Sequence, residues 1–198
     1  MPDADGGAIK VLGFAGSLRQ ASFNRALLRA AVELAPSSMT IETYDLAGIP
    51  EYNDDVREKG YPAPVQKFRA AIAAADALLM VTPEYNYSIP GVLKNAIDWA
   101  SRPPDQPLAQ KPVALMSASQ SLLGGARAQY HLRQVFVFTD SLPVNKPEVF
   151  VMTAQAKFDQ DLKLKDENTR TLVRQLLVNL VTWTRLLKAG REAVAVQK

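Results

Sequence analysis

Short apolar runs alternate along the chain with longer segments in which apolar residues recur every three or four positions. The short runs predict β-strands, and the longer period predicts amphipathic helices. Five strands are predicted, and they cover residues 10–15, 40–44, 77–82, 112–117 and 148–152. The third and fourth are apolar almost throughout, which is typical of central strands in a parallel sheet that helices cover on both faces.

The helical pattern occurs in five segments between and after these strands. It predicts helices over residues 25–35, 65–75, 92–100, 126–138 and 168–189. Gly190 is predicted to end the last helix as a C-terminal cap. Strands and helices that alternate in this order predict an α/β fold with a parallel sheet.

The composition narrows the chemistry that this fold can carry. The length fits a single domain over residues 1–198, with residues 1–7 predicted as a flexible tail. No cysteine and one histidine exclude disulfide scaffolds, iron–sulfur centres, thiolate zinc sites and multi-histidine metal centres, so no metal site is expected. Any reaction must therefore use hydroxyl, carboxylate, arginine, lysine, tyrosine or backbone groups, or a cofactor.

The charge pattern bears on partners and location. The formal net charge is +3, spread along the chain without a basic run, whereas nucleic-acid-binding proteins cluster their basic residues. No stretch approaches the roughly 20 apolar residues of a transmembrane helix, and the first residues are acidic where a signal peptide is basic. The sequence predicts a cytoplasmic protein with neither a nucleic acid nor a membrane as partner.

Ligands of parallel α/β sheets bind beyond the carboxyl ends of the strands. Three polar loops are predicted at that edge. They cover residues 16–24 after the first strand, 82–91 after the third and 117–125 after the fourth. Together they indicate a binding site more strongly than any one of them does alone.

The first loop leads into a helix N-terminus, where backbone N–H groups and the helix dipole attract anions. Ser17, Ser22 and Asn24 add polar side chains, and Arg19 adds a positive charge. The glycine spacing of a dinucleotide site and the P-loop motif are both missing. A terminal monophosphate suits this loop, and a capped polar turn with a solvated Arg19 is the alternative.

The second loop is made rigid by Pro83 and Pro90 and carries Tyr85, Asn86 and Tyr87. Aromatic rings and amides fixed in this way suit a flat heterocycle. The alternative is an ordinary turn whose tyrosines cap the core, because Pro, Asn, Ser and Gly occur in most turns.

The third loop places hydroxyl groups, including that of Ser119, ahead of Gly124 and Gly125. Glycine at these positions permits a close backbone approach, either by a ligand or by another segment of the chain.

These loops resemble those of a known family. The stretches that carry the resemblance are Gly16-Ser17-Leu18-Arg19 through Asn24, Pro83-Glu84-Tyr85-Asn86, and Gly91-Val92-Leu93-Lys94-Asn95-Ala96-Ile97-Asp98-Trp99. Over nearly its whole length the chain is similar to NAD(P)H-dependent FMN reductases. The chromate or quinone reductase branch is the most similar, through Gly124-Gly125-Ala126-Arg127 and Gln129-Tyr130-His131-Leu132-Arg133-Gln134.

The resemblance implies a three-layer flavodoxin-like fold with a five-stranded parallel sheet of order 2-1-3-4-5 and helices on both faces. It also implies FMN, held non-covalently at the crevice between the first and third strands, with its phosphate on the first loop and its ring on the second, and with Ser119 on the third loop as a further cofactor-binding residue. The implied cofactor-binding residues are Ser17, Arg19, Ser22, Asn24, Pro83, Glu84, Tyr85, Asn86, Tyr87 and Ser119.

A bound flavin would explain how a chain without cysteine can be a redox enzyme, because the isoalloxazine ring carries the chemistry and the protein positions it. The hypothesis is a ping-pong reaction in which NAD(P)H gives a hydride to the flavin and leaves, and an acceptor then takes the electrons from the same face. No catalytic side chain is required. Quinones are the preferred acceptors, with azo and nitro compounds, free flavin and chromate as further candidates.

Two other functions are weighed against this one. A non-enzymatic FMN electron carrier of the flavodoxin type is expected to present an acidic face, whereas this chain carries a net charge of +3. A hydrolase with Ser17 or Ser119 as nucleophile lacks the G-x-S-x-G elbow and a credible base.

Four further features complete the sequence-based predictions. Arg102 is expected at the opposite edge of its own sheet, from which it could reach a flavin only across a subunit boundary. His131 is predicted to be structural, because no Ser or Asp stands in triad spacing around it. The charged segment 157–167 is predicted to be a solvated loop and helix start. The family resemblance implies a homodimer or homotetramer. The mixed polar and apolar residues of helix 126–138 suit either an interface or a half-exposed surface helix.

Overall fold

The strands form one parallel sheet. The computed structural model describes residues 7–196, so the predicted tail lies outside the described residues except for Gly7. The strands are β1 (Ile9–Ala15), β2 (Met39–Tyr44), β3 (Ala77–Thr82), β4 (Pro112–Ala118), β5 (Leu142–Pro143) and β6 (Val149–Val151). All five predicted strands are present, with bounds that agree to within two residues at each end.

Each of the five predicted helices is also present. The helices are α1 (Phe23–Glu33), α2 (Asp54–Glu58), α3 (Ala63–Ala74), α4 (Gly91–Ala100), α5 (Ala126–Thr139), α6 (Ala154–Lys157) and α7 (Glu167–Ala195). Only the short α2 and α6 were not predicted, since one turn or so is too short to show a helical period. The prediction that Gly190 ends the last helix is wrong, because α7 continues through it to Ala195.

The strand order is β2-β1-β3-β4-β5, which confirms the predicted flavodoxin-like α/β topology. The fifth position is divided between two short strands. β5 pairs with the first residues of β4, and β6 pairs with its last residues, Met116 to Ala118. The chain leaves the sheet between them at Pro147, which has no N–H to donate to a neighbouring strand.

Helices cover both faces of the sheet and create two hydrophobic cores. Leu79 and Val81 of β3 pack into the core beneath α1 and α7. Leu78 and Met80, which point the other way, pack into the core beneath α3, α4 and α5. Every residue of β3 and β4 is buried, so ligands can approach these strands only through the loops at their ends.

Helix α7 begins at the predicted charged segment. Asp166 caps its N-terminus by accepting a hydrogen bond from the backbone N–H of Thr169 at 2.9 Å. Lys157 Nζ lies 2.6 Å from the same carboxylate. The helix start within this segment is confirmed, and an ion pair ties it to α6.

The last turns of α7 run along the edge at which the strands begin. Lys188 Nζ lies 2.6 Å from the carboxylate of Asp76, which directly precedes β3. One turn later, Arg191 donates to the carbonyl of Gln110, ahead of β4. Among residues 7–196, no helix is long and apolar enough to cross a bilayer.

Candidate functional site

The three polar loops meet at the carboxyl edge of the sheet because β1, β3 and β4 are neighbours. The side chain of Asn24 joins the first loop to the third, since its Nδ2 donates to the carbonyl of Ala118 and its Oδ1 accepts from the N–H of Ala118, both at 2.9 Å. Gly16 N donates to Val81 O at 2.8 Å and ties the first loop to β3. The predicted juxtaposition of the loops is therefore present.

The first loop is built to accept an anion. Ser22 caps α1 by accepting from the N–H of Asn24 at 3.2 Å, and no acidic residue in the first turn opposes the positive end of the dipole. Ser17 is 4% exposed, and its hydroxyl makes no hydrogen bond to any residue from 7 to 196. The side chain borders the open space beside the loop, so its hydroxyl is available to a ligand or water. The exposed guanidinium of Arg19 is also free of partners within this range, so the loop fits a phosphate.

A cavity of about 290 Å³ opens beside this loop, between α1 and the end of β2. One wall is an ion pair, in which Arg25 Nη2 lies 3.0 Å from Asp45 Oδ2. A backbone hydrogen bond from Ala47, together with Arg25, holds the pKa of Asp45 below its ordinary value. Of the predicted cofactor-binding residues, Ser17 alone lines this cavity; its lining consists of Ala15, Ser17, Arg25, Leu28, Arg29, Thr43, Tyr44 and Asp45.

The second loop folds into a tight hairpin at residues 85–88. Tyr85 N donates to Ser88 O at 3.1 Å, and Ser88 N donates to Tyr85 O at 2.9 Å. Both residues between them have positive φ, 48° for Asn86 and 66° for Tyr87, as a type I′ turn requires. Tyr85 is 50% exposed and Tyr87 is 69% exposed. Each ring therefore leaves half or more of its surface outside the core, which favours the binding interpretation of this loop over a turn whose tyrosines cap the core.

Glu84 turns away from the open side of the loop towards α5. Its Oε2 accepts from the backbone N–H of Arg127 at 3.1 Å and of Ala128 at 3.4 Å, and the carboxylate also pairs with the guanidinium of Arg127. The Arg127 guanidinium carbon lies 3.4 Å from the centre of the Tyr87 ring. Hydrogen bonding to Glu84 raises the pKa of Arg127. The guanidinium therefore stays charged, and it is engaged by Glu84 and Tyr87 of the same chain.

The single histidine also contacts the hairpin. His131 Nδ1 and Ser88 Oγ are 2.9 Å apart. This contact agrees with the predicted structural role of His131. Neither Arg127 nor His131 is among the residues predicted from the sequence to form the site. The available signal was their spacing of four residues, which places both on one face of the helix that follows the third loop.

The third loop is held by backbone contacts. Ser119 N donates to Val151 O at 3.0 Å, which ties the loop to β6. The Ser119 hydroxyl donates to Ser121 Oγ at 3.1 Å. Neither Ser119 nor Ser17 has a base as hydrogen-bond partner among residues 7–196, so the geometry gives no support to a serine hydrolase.

The tandem glycines that end this loop make room for the chain itself. A Cβ on Gly125, which has φ +87°, would lie 2.7 Å from Ser117 Cβ. A Cβ on Gly124, which has φ +57°, would lie 2.9 Å from the carbonyl carbon of Phe150. The close approach that these glycines permit is therefore with strands β4 and β6, and it brings the start of α5 against the sheet.

Arg102 lies beyond the end of α4, at the opposite edge from the three loops. Its Nε donates to Asp98 O at 3.1 Å, and its Nη2 donates to Ser101 Oγ at 2.9 Å. The guanidinium carbon lies 5.6 Å from the centre of the Tyr52 ring. Within its own chain this side chain is thus committed to local contacts, as its position after the third predicted helix led us to expect.

The chain resembles known proteins over all three loops. The family profile for NADPH-dependent FMN reductases matches residues 9–156. An NAD(P)H-dependent FMN reductase of Pseudomonas aeruginosa is 56% identical over 180 residues, which cover 91% of this chain and 97% of that protein. A quinone reductase of Escherichia coli is 50% identical over 153 residues, covering 76% and 81%.

A solved structure shows the same arrangement of the chain. The flavoenzyme NAD(P)H:(acceptor) oxidoreductase of Paracoccus denitrificans superposes with a TM-score of 0.82 and is 31% identical, covering 90% of this chain and 98% of that one.

Proposed function

The chain belongs to the NADPH-dependent FMN reductase family, and from this premise we propose that it uses FMN to oxidise NAD(P)H and to reduce quinones. The observation that carries the proposal is the junction of the three loops, where the Asn24 amide bonds the first loop to the third beside the tyrosine hairpin. An anion-binding loop next to exposed aromatic rings matches the two ends of FMN, a monophosphate and a flat heterocycle.

The phosphate end of the cofactor is assigned to the first loop. Of the four predicted residues of this loop, Ser17 and Arg19 have side chains without a hydrogen-bond partner among residues 7–196, so they are the direct contacts in this proposal. Ser22 and Asn24 contribute by shape, because their side chains cap α1 and fix the loop against β4. The N-terminus of α1 adds a favourable dipole.

The ring end is assigned to the second and third loops. Pro83, Tyr85, Asn86 and Tyr87 offer a rigid hairpin with two exposed aromatic rings, and Ser119 offers a hydroxyl from the neighbouring loop. Glu84 belongs to the same group through its grip on α5 rather than through an exposed carboxylate.

When bound, FMN supplies hydride and electron transfer, for which side chains of this kind have no equivalent. The chain's own task is to bind, orient and shield. His131 and Glu84, the groups nearest the hairpin that could act as a base, are both held in hydrogen bonds to other residues. We therefore assign no catalytic proton transfer to either of them.

We assign donor and acceptor to one shared site, used in turn by a ping-pong mechanism. Among residues 7–196, a single sheet edge carries all three candidate loops. Quinones are the preferred acceptors, which the quinone reductase among the relatives supports. Azo and nitro compounds, free flavin and chromate are further acceptors to be assayed.

Self-association into a homodimer or homotetramer is also proposed. The outer face of α5 exposes Val137 by 84% and Phe138 by 74%. Adjacent exposed apolar side chains on a helix are typical of a surface that another chain covers. We propose that the covering chain is a second copy of this protein, since α5 also supports the candidate site. The cytoplasmic location and the single-domain organisation stay predictions.

The test is spectroscopic and kinetic. Purified protein is mixed with FMN and desalted, its visible spectrum is recorded, and NADPH is added without oxygen. We expect a protein-bound flavin band that NADPH bleaches and a quinone restores, with steady turnover when both substrates are present. A bound flavin that NADPH does not reduce would point to an electron carrier instead, and a protein that binds no FMN would disprove the proposal.

A further inference from the structure

The tip of the 85–88 hairpin holds a conformation that Tyr87 does not favour. Asn86 and Tyr87 both have left-handed φ values; asparagine tolerates this region, but for a bulky aromatic residue it is costly. Both residues are exposed, so burial does not hold the turn in place. The contacts that stabilise it must come from a neighbouring element.

Helix α5 is that element, and its residues contact the hairpin before, at and after the tip. Ahead of the tip, Glu84 accepts from the first N–H groups of α5 and pairs with Arg127. At the tip, the Arg127 guanidinium stacks on the Tyr87 ring at 3.4 Å. One helical turn further on, His131 bonds Ser88, the residue that closes the turn.

The helix is itself fixed to the sheet. Gln129 is 1% exposed, and its Nε2 donates to Ser117 Oγ at 2.8 Å and to Val149 O at 3.0 Å. Gln129 lies between Arg127 and His131 on α5. Its bonds to β4 and β6 therefore fix the position of both residues relative to the sheet. Through α5, the hairpin is thereby held in a fixed position relative to β4 and β6, the strands that contact the third loop.

We propose that Arg127 and His131 are positioning residues, which act through the hairpin to hold Tyr85 and Tyr87 where the flavin ring binds. This inference rests on the proposed function, because it concerns how the same site is kept in order. The Glu84 carboxylate is 7% exposed at its side chain, and it holds Arg127 over Tyr87 instead of leaving the guanidinium free for an anion.

The experiment compares two flavins and needs no turnover. Affinity for FMN and for riboflavin, which has the ring but no phosphate, is measured by quenching of flavin fluorescence. For Arg127→Ala we expect both affinities to fall by a similar factor of about three to ten, because stacking and ion-pair contacts of this kind have that worth. For His131→Ala we expect a smaller loss, about twofold to fivefold, from one neutral hydrogen bond.

Matched variants separate positioning from general damage. Arg133→Ala removes an arginine from the same helix whose contacts are with Asn145 and Val144, and it should leave both flavin affinities unchanged. Arg127→Lys keeps the charge but loses the planar stack, so it should recover part of the loss. Thermal melting of each variant, followed by circular dichroism, identifies any that fails to fold.

Hydrogen exchange gives a readout that does not depend on flavin at all. The amides of Tyr85 and Ser88 are bonded across the hairpin, and in Arg127→Ala they should exchange faster while peptides from β3 and β4 do not. Unchanged exchange, or a loss of affinity for FMN alone, would overturn the inference. If wild-type protein binds neither flavin, the proposed function fails. Faster exchange in Arg127→Ala would then still show that α5 holds the hairpin, but this role could no longer be assigned to flavin binding.

Discussion

Asn24 and Ala118 are 94 positions apart in the chain, yet the side-chain amide of one and the backbone of the other exchange two hydrogen bonds, each of 2.9 Å. Asn24 is 3% exposed, so this pairing is shielded from water. It imitates the pairing between neighbouring strands at a point where β1 and β4 are separated by β3. The first and third loops are consequently held at a fixed distance by one side chain.

Replacing Asn24 by aspartate tests this link with almost no change of shape. A carboxylate oxygen would face the carbonyl of Ala118, where the amide donated before, so we expect a loss of about 2 kcal/mol in the free energy of unfolding. The added negative charge should also lower the affinity for FMN more than the affinity for riboflavin. Urea unfolding and flavin titration measure the two effects. Asn53→Asp, at the N-cap of α2, is the control and should change neither; an Asn24 variant as stable as wild type would contradict the assigned role.

Arg19→Ala examines the phosphate assignment. Since the guanidinium has no partner among the described residues, the substitution should leave thermal stability within about 0.5 kcal/mol of wild type, as for other surface changes. Affinity for FMN should fall roughly tenfold, the loss of one charge-assisted contact, while affinity for riboflavin stays the same. Lys67→Ala, which removes an exposed cation from α3, is the control and should change neither affinity. Equal losses for both flavins would remove Arg19 from the phosphate site.

Gly125→Ala should be strongly destabilising. The residue has φ +87°, and the new Cβ would meet Ser117 Cβ at 2.7 Å, so the start of α5 must shift. We expect a loss of about 2 to 3 kcal/mol in the free energy of unfolding. Because the hairpin is held from α5, flavin affinity should fall as well.

The same substitution at Gly190 serves as the opposite case. Gly190 lies inside α7, and a Cβ there meets nothing within 4 Å outside the helix's own backbone. Gly190→Ala should therefore stabilise the end of α7 by about 0.5 to 1 kcal/mol, which slower hydrogen exchange of residues 186–196 would register. If both glycine variants are destabilised alike, close packing at Gly125 is not the cause.

The N-terminus of α7 should make stability depend on acidity. The pKa of Asp166 is lowered to about 2, chiefly by hydrogen bonds from Lys157 and Thr169. Because this folded-state value lies below the ordinary one of 3.8, the stabilisation is complete above about pH 4 and is lost as the pH falls towards 2. Asp166→Asn keeps the cap but removes the charge, and it should cost about 1 kcal/mol at neutral pH.

The measurement for Asp166 is urea unfolding of wild type and variant at several pH values. The difference between them should shrink as the pH is lowered from about 5 to about 2. Asp161→Asn, which neutralises an exposed carboxylate of the same loop, is the control and should leave the free energy of unfolding at neutral pH unchanged. A gap between wild type and Asp166→Asn that stays constant with pH would contradict the ion-pair origin of the effect.

Phe138→Lys examines the outer face of α5. A charge at a side chain that is 74% exposed costs little in a monomer but opposes burial against a second copy. We expect wild type to sediment as a dimer or tetramer and the variant to shift towards monomer with an unchanged melting curve at low concentration. Val56→Lys, at an exposed apolar position on α2, is the control. A wild type that is monomeric at all concentrations would exclude this interface.

The elements that sequence predicted best are those whose character comes from their own residues. The bounds of β3 agree with the prediction at both ends, because its six consecutive buried positions are filled by five apolar side chains and by Thr82, whose hydroxyl donates to Pro83 O. β5 has two residues and exists only because Pro112 and Val113 lie beside it. No local pattern can encode such a strand, since its cause lies about thirty positions away.

The candidate site divides in the same way. Polar loops after β1, β3 and β4 could be predicted, because parallel topology brings strand ends to one edge. The partners of individual side chains could not. The sequence shows Glu84 only as a carboxylate in a turn. The fold shows that it contacts Arg127, which lies 43 positions later. The prediction at Gly190 was wrong because a glycine inside a helix costs only about 1 kcal/mol, which does not end α7.

The last turns of α7 give this molecule a practical handle. They are secured at Asp76 and Gln110, on the edge of the sheet that faces away from the three loops. Because the chain contains no cysteine, an Ala189→Cys variant would carry a single thiol at an exposed position. A dye, spin label or electrode linker attached there would have one known location, and immobilised protein would present its loops to the solution.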